Sequence, residues 1–289
     1  MNESVIRRAA RRQRWLARGG WAAITYALLT LFLLLAVIPF VIITIAGFKT
    51  SDEIAQGVFS PPEVWRWSNF AQAWTEAHFA QFFKSSIIVV VAVVGASIPL
   101  SVMSGYAFGR MHFSLDRILF FVFLLGMMVP EEAYIIPLYH NLRGLGLVDT
   151  YWALILPQIG QSMCFGTFWM RGFFAGVPQD LLDAAKIDRC NSWSTLWRVL
   201  LPIAQPAILT LAVLFFVWTW NAFLLPLVLV NSEDLRTLPL GLAFFKGRHT
   251  VDIPLTSAAA TIVALPTILV YFAFQRQFIR GITAGALHG

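Results

Sequence analysis

The residues of this chain that could do chemistry begin with two neighbouring carboxylates, Glu131 and Glu132. They interrupt a run from Ile118 to Tyr139 that holds no other charge. In a helix that rises ~1.5 Å per residue, Glu131 would lie about 20 Å from Ile118. A carboxylate at that depth should face protein or a water-filled cavity, where it could accept hydrogen bonds from a solute or attract a cationic group. The alternative is that Pro130 starts a re-entrant bend and that both acids are hydrated.

Three further polar side chains lie in apolar runs, namely Gln158, Gln161 and Asn221. Each could line a solute pathway or pack between helices, and the sequence leaves both interpretations open. The chain has no Gly-Lys-Ser/Thr loop to cradle phosphate, and no nucleophile can be paired with a base. Its histidines and its two cysteines, Cys164 and Cys190, are scattered without metal-ligand spacing. The sequence therefore predicts no catalytic residues, no metal site and no bound cofactor.

The apolar composition of the chain indicates which kind of secondary structure carries these residues. Of 289 residues, 58% are hydrophobic and 12% are charged, whereas a soluble domain has about 25% charged residues. So few charges cannot cover a water-facing surface, which excludes a soluble protein. Roughly 20 apolar residues cross a bilayer as a helix. Six apolar runs therefore predict an all-α integral membrane protein with six transmembrane helices in a domain over residues 21–289: Trp21–Phe48, Ser85–Phe108, Ile118–Tyr139, Tyr151–Met170, Ala207–Val230 and Ser257–Phe274.

The distribution of basic residues predicts the orientation of these helices. With the N-terminus in the cytoplasm, the inner segments are 1–20, 109–117, 171–206 and 275–289, and they hold 14 of the 21 Lys and Arg residues. Both termini are therefore expected inside, with residues 1–20 as a basic cytoplasmic segment against anionic lipid. This bias also explains the pI of 9.7, so no nucleic-acid partner is predicted.

One inner segment, residues 175–205, is a polar loop between two apolar runs. Its centre reads "DAAKIDRCNSWSTLWRVLLP" from Asp183 to Pro202. Asp180 is a plausible N-cap of a short helix, on which two alanines would let another protein approach the backbone closely. Ser192 could cap a second helix that Pro202 ends. The alternative is an amphipathic loop that lies on the lipid surface.

The spacing in this loop resembles the Glu-Ala-Ala loop of ATP-binding-cassette importer permeases. Asp183-Ala184-Ala185 is followed by three residues to Arg189, nine to Val199, and then Leu200 and Leu201-Pro202. Other stretches resemble the carbohydrate branch of that family, its maltose-type permease G in particular, over roughly residues 38–289: "FKTSDEI" (48–54), "YAFGRMHF" (106–113), "IIPLY" (135–139), "LGLVDTYWALILP" (145–157), "WNAFLLPLVLV" (220–230), "TLPLGL" (237–242) and "GITAGALHG" (281–289).

The resemblance implies the type I importer permease fold in a prokaryotic inner membrane, with this chain forming half of a sugar pathway. The implied partners are a second homologous permease, two ATPase subunits that use ATP and Mg, and an extracytoplasmic sugar-binding protein. The ATPase would dock on the loop over residues 178–202. The residues that carry this expectation are Asp183, Ala184, Ala185, Lys186, Asp188, Arg189, Leu201 and Pro202.

Arg189 departs from the family pattern, which has glycine there to form a left-handed turn. Arginine adopts that conformation at a cost of roughly 1 kcal/mol, so the turn is expected to move toward Asn191. The glycines of the terminal stretch 281–289 predict an extended tail rather than a helix. Two alternative functions remain: an ion-coupled secondary transporter, and an importer permease for a non-sugar solute such as a glycerophosphodiester or glycerol phosphate.

Overall fold

The computed structural model describes residues 3–245 and 252–286, and every regular element in that part of the chain is helical. The predicted all-α architecture is confirmed there. The α-helices are α1 (Glu3–Ala46), α2 (Ser51–Gln56), α3 (Ser68–Glu76), α4 (Phe79–Arg110), α5 (Asp116–Met128), α6 (Glu131–Gly144), α7 (Tyr151–Ala175), α8 (Gln179–Ile187), α9 (Ser192–Ser194), α10 (Leu201–Trp220), α11 (Leu224–Leu229), α12 (Leu238–Gly241) and α13 (Ile253–Ala286). A π-helical segment, Thr195–Leu200, joins α9 to α10, and 3-10 turns cover Glu233–Leu235 and Leu242–Phe245.

Four helical segments are long and apolar enough to cross a membrane: Trp21–Ala46, Phe79–Arg110, Ser192–Trp220 and Ile253–Gln277. Helices α5 and α6 together qualify as a fifth, although they are bent by 100° at the break between them. Helix α7 has 25 residues, enough to span a bilayer, but polar residues such as Gln158 and Gln161 lower its hydropathy. Length and composition therefore identify four or five of the six predicted spans.

Two of the predicted spans are wrong as single continuous helices. Ile118–Tyr139 is not one helix, because α5 ends at Met128 and Pro130 directly precedes α6. Proline lacks an N–H and disfavours helical geometry at the residue before it, and Val129 is accordingly extended. The bend at Pro130, which was the alternative, is confirmed. The run Ala207–Val230 is also divided, since α10 ends at Trp220 and α11 starts at Leu224.

Helices α4 and α7 are parallel and pack along their whole length. Contacts link Ser85 with Tyr151, Ser104 with Thr167, and Gly109 with Phe174. We call the central part of this contact the α4–α7 seam, defined by Ser101, Ser104, Gly105, Gly166 and Thr167. A methyl group added at Gly105 would lie 2.9 Å from the backbone nitrogen of Arg171, so glycine permits the close approach.

The remaining long helices are arranged around the seam. Helix α10 runs antiparallel to α13, because Trp220 Nε1 donates to the Val263 carbonyl at 3.0 Å while Thr210 lies beside Gln277. Gly47, just beyond α1, lies beside Ala258 of α13, so the end of α1 meets the start of α13. The extended conformation predicted for the tail is wrong over residues 281–286, which continue α13 as a helix. Residues 287–289 lie outside the described residues.

Candidate functional site

The loop over residues 175–205 contains a short helix, α8, with two different faces. It begins at Gln179 after Pro178, so Asp180 is inside the helix and the predicted N-cap is wrong. Leu182 and Ala185 are buried, at 9% and 3% exposure, whereas Ala184 is exposed and Ile187 is 82% exposed. An aliphatic side chain so open to solvent beside a bare alanine makes the outer face of α8 suitable for contact with another protein.

The turn that ends α8 lies at Arg189, and its expected displacement to Asn191 is wrong. Arg189 has φ of 56°, the left-handed conformation that glycine adopts at no steric cost. The Arg189 N–H donates to the Lys186 carbonyl at 3.0 Å, and the Cys190 N–H donates to the Ala185 carbonyl at 2.9 Å. These two bonds form a Schellman motif. These hydrogen bonds satisfy the backbone groups at the end of α8 and compensate the backbone strain at Arg189. The turn therefore stays at Arg189.

The second half of the loop is a continuous extension of α10. Asn191, rather than Ser192, is the N-cap, and its side chain accepts a hydrogen bond from the Ser194 N–H at 2.8 Å. The π-helical segment then enters α10 with Leu196 and Leu200 buried. Pro202 does not end a helix, since it lies in the first turn of α10 directly after the π-helical segment. The loop is therefore joined rigidly to a long apolar helix.

Charges on α8 are organised around Asp183. Its carboxylate accepts hydrogen bonds from Lys186 Nζ at 2.9 Å and from Gln179 Nε2 at 3.1 Å. The hydrogen bond from Lys186, followed by that from Gln179, lowers the pKa of Asp183 below its usual value. Asp188 and Arg189 are exposed at the end of the helix. The outer face of α8 thus presents an alanine and an isoleucine among fixed charges of both signs.

Glu131 and Glu132 lie directly after the break between α5 and α6. Glu131 is half-buried, and one of its carboxylate oxygens is shielded from solvent without a hydrogen-bond partner among the described residues. The N–H of Leu225, at the start of α11, faces this carboxylate. Glu132 is exposed. Two helix breaks, at 129–130 and at 221–223, therefore meet around one carboxylate.

The other three predicted pathway residues have different surroundings. Gln158 is buried and donates to the Leu154 carbonyl of its own helix at 2.8 Å. Gln161 is exposed. Asn221 is exposed in the break after α10, and its amide donates to the Val217 carbonyl at 2.8 Å and to Thr267 Oγ1 at 3.4 Å. Within residues 3–245 and 252–286, no hydrogen bond joins these residues to Glu131 or Glu132.

Sequence analysis missed Lys49 and Asp149, two polar residues that organise loops at the end of the molecule opposite the 175–205 loop. Lys49 is fully buried, and its Nζ donates to the Gly57 carbonyl at 2.9 Å and to Ser60 Oγ at 3.1 Å. Asp149 accepts hydrogen bonds from the backbone N–H groups of Asn231 and Ser232. Both lie in stretches that carry the family resemblance, "FKTSDEI" and "LGLVDTYWALILP", and that was the available signal.

Comparisons with known proteins agree with this geometry. Residues 97–284 match the family model described as binding-protein-dependent transport system inner membrane component. A diacetylchitobiose uptake system permease protein of Streptomyces coelicolor is 34% identical, over 92% of this chain and 88% of that protein. A trehalose/maltose transport system permease protein of Thermococcus litoralis is 34% identical over 73% of this chain and 77% of that protein.

The fold is also similar to that of a solved structure. A chain in the crystal structure of a bacterial transporter of the ATP-binding-cassette class, involved in the import of the acidic polysaccharide alginate, has a TM-score of 0.74 at 24% sequence identity. The match covers 89% of this chain and 96% of that chain. At this identity the likeness concerns the fold, which is that of an importer permease.

Proposed function

This chain belongs to the family of binding-protein-dependent transport system inner membrane components, and on that premise we propose that it is a permease subunit of an ATP-driven sugar importer. Relatives are named for diacetylchitobiose, arabinooligosaccharides, starch degradation products, and trehalose or maltose. These names support a sugar or oligosaccharide as the solute. They support neither an ion-coupled transporter nor a permease for glycerol phosphate or a glycerophosphodiester.

The proposed arrangement in the inner membrane has six spans with both termini in the cytoplasm. Helix α7 and the bent α5–α6 pair would be two further spans beside the four apolar segments, which gives six. The meeting of the end of α1 with the start of α13 supports termini on one side, because both helices would cross the bilayer away from that point. The excess of basic residues in residues 1–20, six arginines against one glutamate, favours the cytoplasm for that side.

The observation that carries the proposed coupling to an ATPase is the outer face of α8. Ala184 and Ile187 are exposed there, while the inner face is packed against the membrane domain. A protein that covered this face would bury an isoleucine and approach the helix backbone closely at the alanine. We assign this role to ATPase subunits, which use ATP and Mg, because the loop keeps the acid-Ala-Ala to Leu-Pro spacing of ATP-driven importers.

Two further partners complete the proposed assembly. A second homologous permease would supply the other half of the pathway, and it would offer cover for α1, whose residues 21–40 are all exposed in this chain. An extracytoplasmic binding protein would deliver the sugar, and the family description, which names a binding-protein-dependent transport system, supports such a partner.

The mechanism follows from the way the loop is attached. ATP binding would close the ATPase pair and move the docked α8. Because the helix is unbroken from Ser192 to Trp220, a displacement of the loop would reach the break at residues 221–223. That break faces Glu131 across the N–H of Leu225. Transport would then be an equilibrium between inward- and outward-facing states that ATP shifts.

Pathway residues are proposed where the two helix breaks meet. Glu131 and Glu132 offer acceptors for sugar hydroxyls, and Asn221 offers an amide close by in the chain's second break. Gln161, exposed on α7, is retained as a pathway residue. The bond from Gln158 to its own helix supports a packing role instead.

The test is an Ala184→Arg variant of the assembled importer. A bulky cation on the exposed face of α8 should detach or uncouple the ATPase while the permease still inserts, because Ala184 makes no inward contact. Ala185 is a poorer target, since it is buried and its replacement would disturb the loop itself. Ala55→Arg is the matched control, an exposed alanine on α2 at the opposite end. Full ATPase stoichiometry and unchanged sugar uptake in Ala184→Arg would refute the coupling role.

A further inference from the structure

The last residue of α4, Arg110, is bonded to the end of another helix. Its Nε donates to the Phe174 carbonyl at 2.6 Å, and its Nη2 donates to the Ala175 carbonyl at 3.4 Å and to the Val177 carbonyl. The last carbonyls of a helix have no partner within the helix and carry the negative end of its dipole. A guanidinium bonded to the carbonyls of Phe174 and Ala175, and to that of Val177 just beyond the helix, therefore caps α7 from a neighbouring helix.

Arg171, near the end of α7, makes the reverse connection. Its Nε donates to the Phe108 carbonyl of α4 at 3.3 Å, and its guanidinium carbon lies 3.8 Å from the centroid of the Phe120 ring on α5. Gly109 permits the close approach of α4 and α7 at this point, because an added methyl group there would lie 3.2 Å from the Arg171 carbonyl oxygen and from Phe174 Cβ. We call this pair of connections, Arg110 to α7 and Arg171 to α4, the arginine clamp.

The clamp also extends into the loop that carries α8. Arg110 Nη1 lies 3.5 Å from Gln179 Oε1, and the same Gln179 donates to Asp183 on α8. Residues 176–178 link α7 to α8 without regular helical structure, so the link could act as a hinge. Arg110 holds carbonyls on both sides of Gly176 and reaches the first residue of α8. Leu182 and Val177 pack in the same apolar cluster as Tyr106 of α4.

We propose that Arg110 is a positioning residue which makes α8 move as one body with the α4–α7 seam. This inference rests on the proposed docking of an ATPase at α8. With the clamp in place, displacement of α8 reaches α4 and α7 as well as α10. Without it, the link at residues 176–178 absorbs part of the movement. ATP would then be hydrolysed with less movement of the pathway helices.

Arginine is required for this role because of its shape. The planar fork presents several donors in fixed directions, whereas the lysine ammonium is a point charge on a flexible stem. Arg110→Lys should preserve the charge and the fold but lose the simultaneous contacts with Phe174, Ala175 and Val177. We therefore expect lysine to fail as a functional replacement even where it restores stability.

The experiment compares Arg110→Gln, Arg110→Lys and Arg117→Gln in the importer assembled with its ATPases and reconstituted in liposomes. Arg117 is an exposed arginine at the start of α5 on the same side, and it serves as the charge-matched control. For both Arg110 variants we expect sugar transported per ATP to fall about tenfold, the equivalent of one charge-assisted hydrogen bond. ATPase stoichiometry should be unchanged, and Arg117→Gln should behave as wild type.

A distance measurement provides a readout that a merely structural arginine would not change. Spin labels on His112→Cys and Asp180→Cys, in a Cys164→Ser, Cys190→Ser background, report the position of α8 relative to α4, since Asp180 is an exposed residue of α8. In wild type the distance distribution should stay narrow with and without ATP, and in Arg110→Lys it should broaden. A narrow distribution and wild-type coupling in Arg110→Lys would overturn the inference. If Ala184→Arg left the ATPase bound and coupled, the proposed function itself would fail, whatever the Arg110 variants did.

Discussion

Helices α1 and α4 are both long and apolar, yet their surroundings in this chain are opposite. The segment Trp21–Ala46 of α1 is the more apolar of the two, and its residues 21–40 are all exposed. Helix α4 packs against α7, α10 and α3, and Val89, Val93 and Ser97 are buried on successive turns. Hydropathy therefore identifies both as membrane helices but does not tell which of them lies inside the subunit.

The two helices differ in their small residues. In lipid, an apolar side chain gains little by leaving the hydrocarbon for a protein neighbour, so helices associate through close packing and hydrogen bonds. Helix α4 offers Ser101, Ser104 and Gly105 to Gly166 and Thr167 of α7. The segment Trp21–Ala46 has no glycine and consists mainly of leucine, isoleucine and other bulky side chains. The segment also has no serine, so glycine and serine, rather than apolar residues, mark the helix that packs within the chain.

The largest effect is expected from breaking the α4–α7 seam. A side chain at Gly166 would overlap Ser101 and would lie 3.0 Å from the Phe215 ring. Gly166→Leu should therefore lower stability by about 3 kcal/mol or prevent folding, measured as thermal unfolding of the purified chain in detergent. Gly160→Leu is the matched control on the same helix, because nothing lies within 4 Å of an added Cβ there. Equal losses in the two variants would contradict the importance of the seam.

This seam also marks the limit of what could be predicted from the sequence. Apolar runs located α4 and α7 because hydrophobicity is a property of one segment at a time. Their pairing depends on which glycine of one helix meets which serine of another, and no local pattern encodes that register. The bend at Pro130 was available as an alternative, since proline acts locally. The turn at Arg189 was mispredicted because two hydrogen bonds of the Schellman motif outweigh an unfavourable φ.

The candidate site was predictable to a similar extent. The acid-Ala-Ala spacing located α8, but only the packing of Leu182 and Ala185 separates its inner face from Ala184 and Ile187. The sequence could not distinguish the role of Gln158 from that of Asn221, because both are polar residues in apolar runs. Their partners, a carbonyl of the same helix and Thr267 of α13, decide their surroundings. Arg110 was counted only as a basic residue, since its partners follow it by more than sixty positions.

A smaller effect is expected at Asp149, which closes the far end of α7. Its carboxylate accepts hydrogen bonds from the Asn231 N–H at 2.9 Å and the Ser232 N–H at 2.8 Å, and also from the Ser232 hydroxyl. Asp149→Ala should cost about 1 kcal/mol in thermal stability. Asp149→Asn, which keeps an acceptor oxygen and tolerates the φ of 62°, should lose less. An equal loss in the two variants would show that the charge alone matters here and would contradict a role for the acceptor oxygen.

The contribution of Asp149 should also depend on pH. Hydrogen bonds from Ser232 lower the pKa of this carboxyl below its usual value of 3.8. A carboxyl with a lowered folded pKa stabilises the fold above the unfolded pKa, and the contribution is lost as pH falls through the folded pKa. The difference in melting temperature between wild type and Asp149→Asn should therefore shrink below about pH 4. A difference that grew on acidification would contradict this assignment.

The third effect lies in the loop that continues α7 beyond the membrane. Arg189→Gly should raise stability by at most about 1 kcal/mol, because glycine removes the strain at φ of 56° but gains freedom in the unfolded chain. Lys186→Gly, within α8, should instead destabilise by a similar amount. Hydrogen exchange of the Ala184–Cys190 amides would report the difference locally. Slower exchange in Lys186→Gly than in Arg189→Gly would be inconsistent with the observed turn.

The smallest effect is expected in α1, and it completes the comparison. Phe32 is 66% exposed in this chain, whereas Phe215 of α10 is fully buried. Truncation to alanine removes the same atoms from both, but only Phe215→Ala leaves a cavity, at a cost of about 3 kcal/mol or more. Phe32→Ala in the isolated chain should change the unfolding free energy by less than about 0.5 kcal/mol. Both variants should be melted in the same detergent. A loss at Phe32 comparable to that at Phe215 would mean that α1 packs against its own chain, and the contrast between α1 and α4 would not hold.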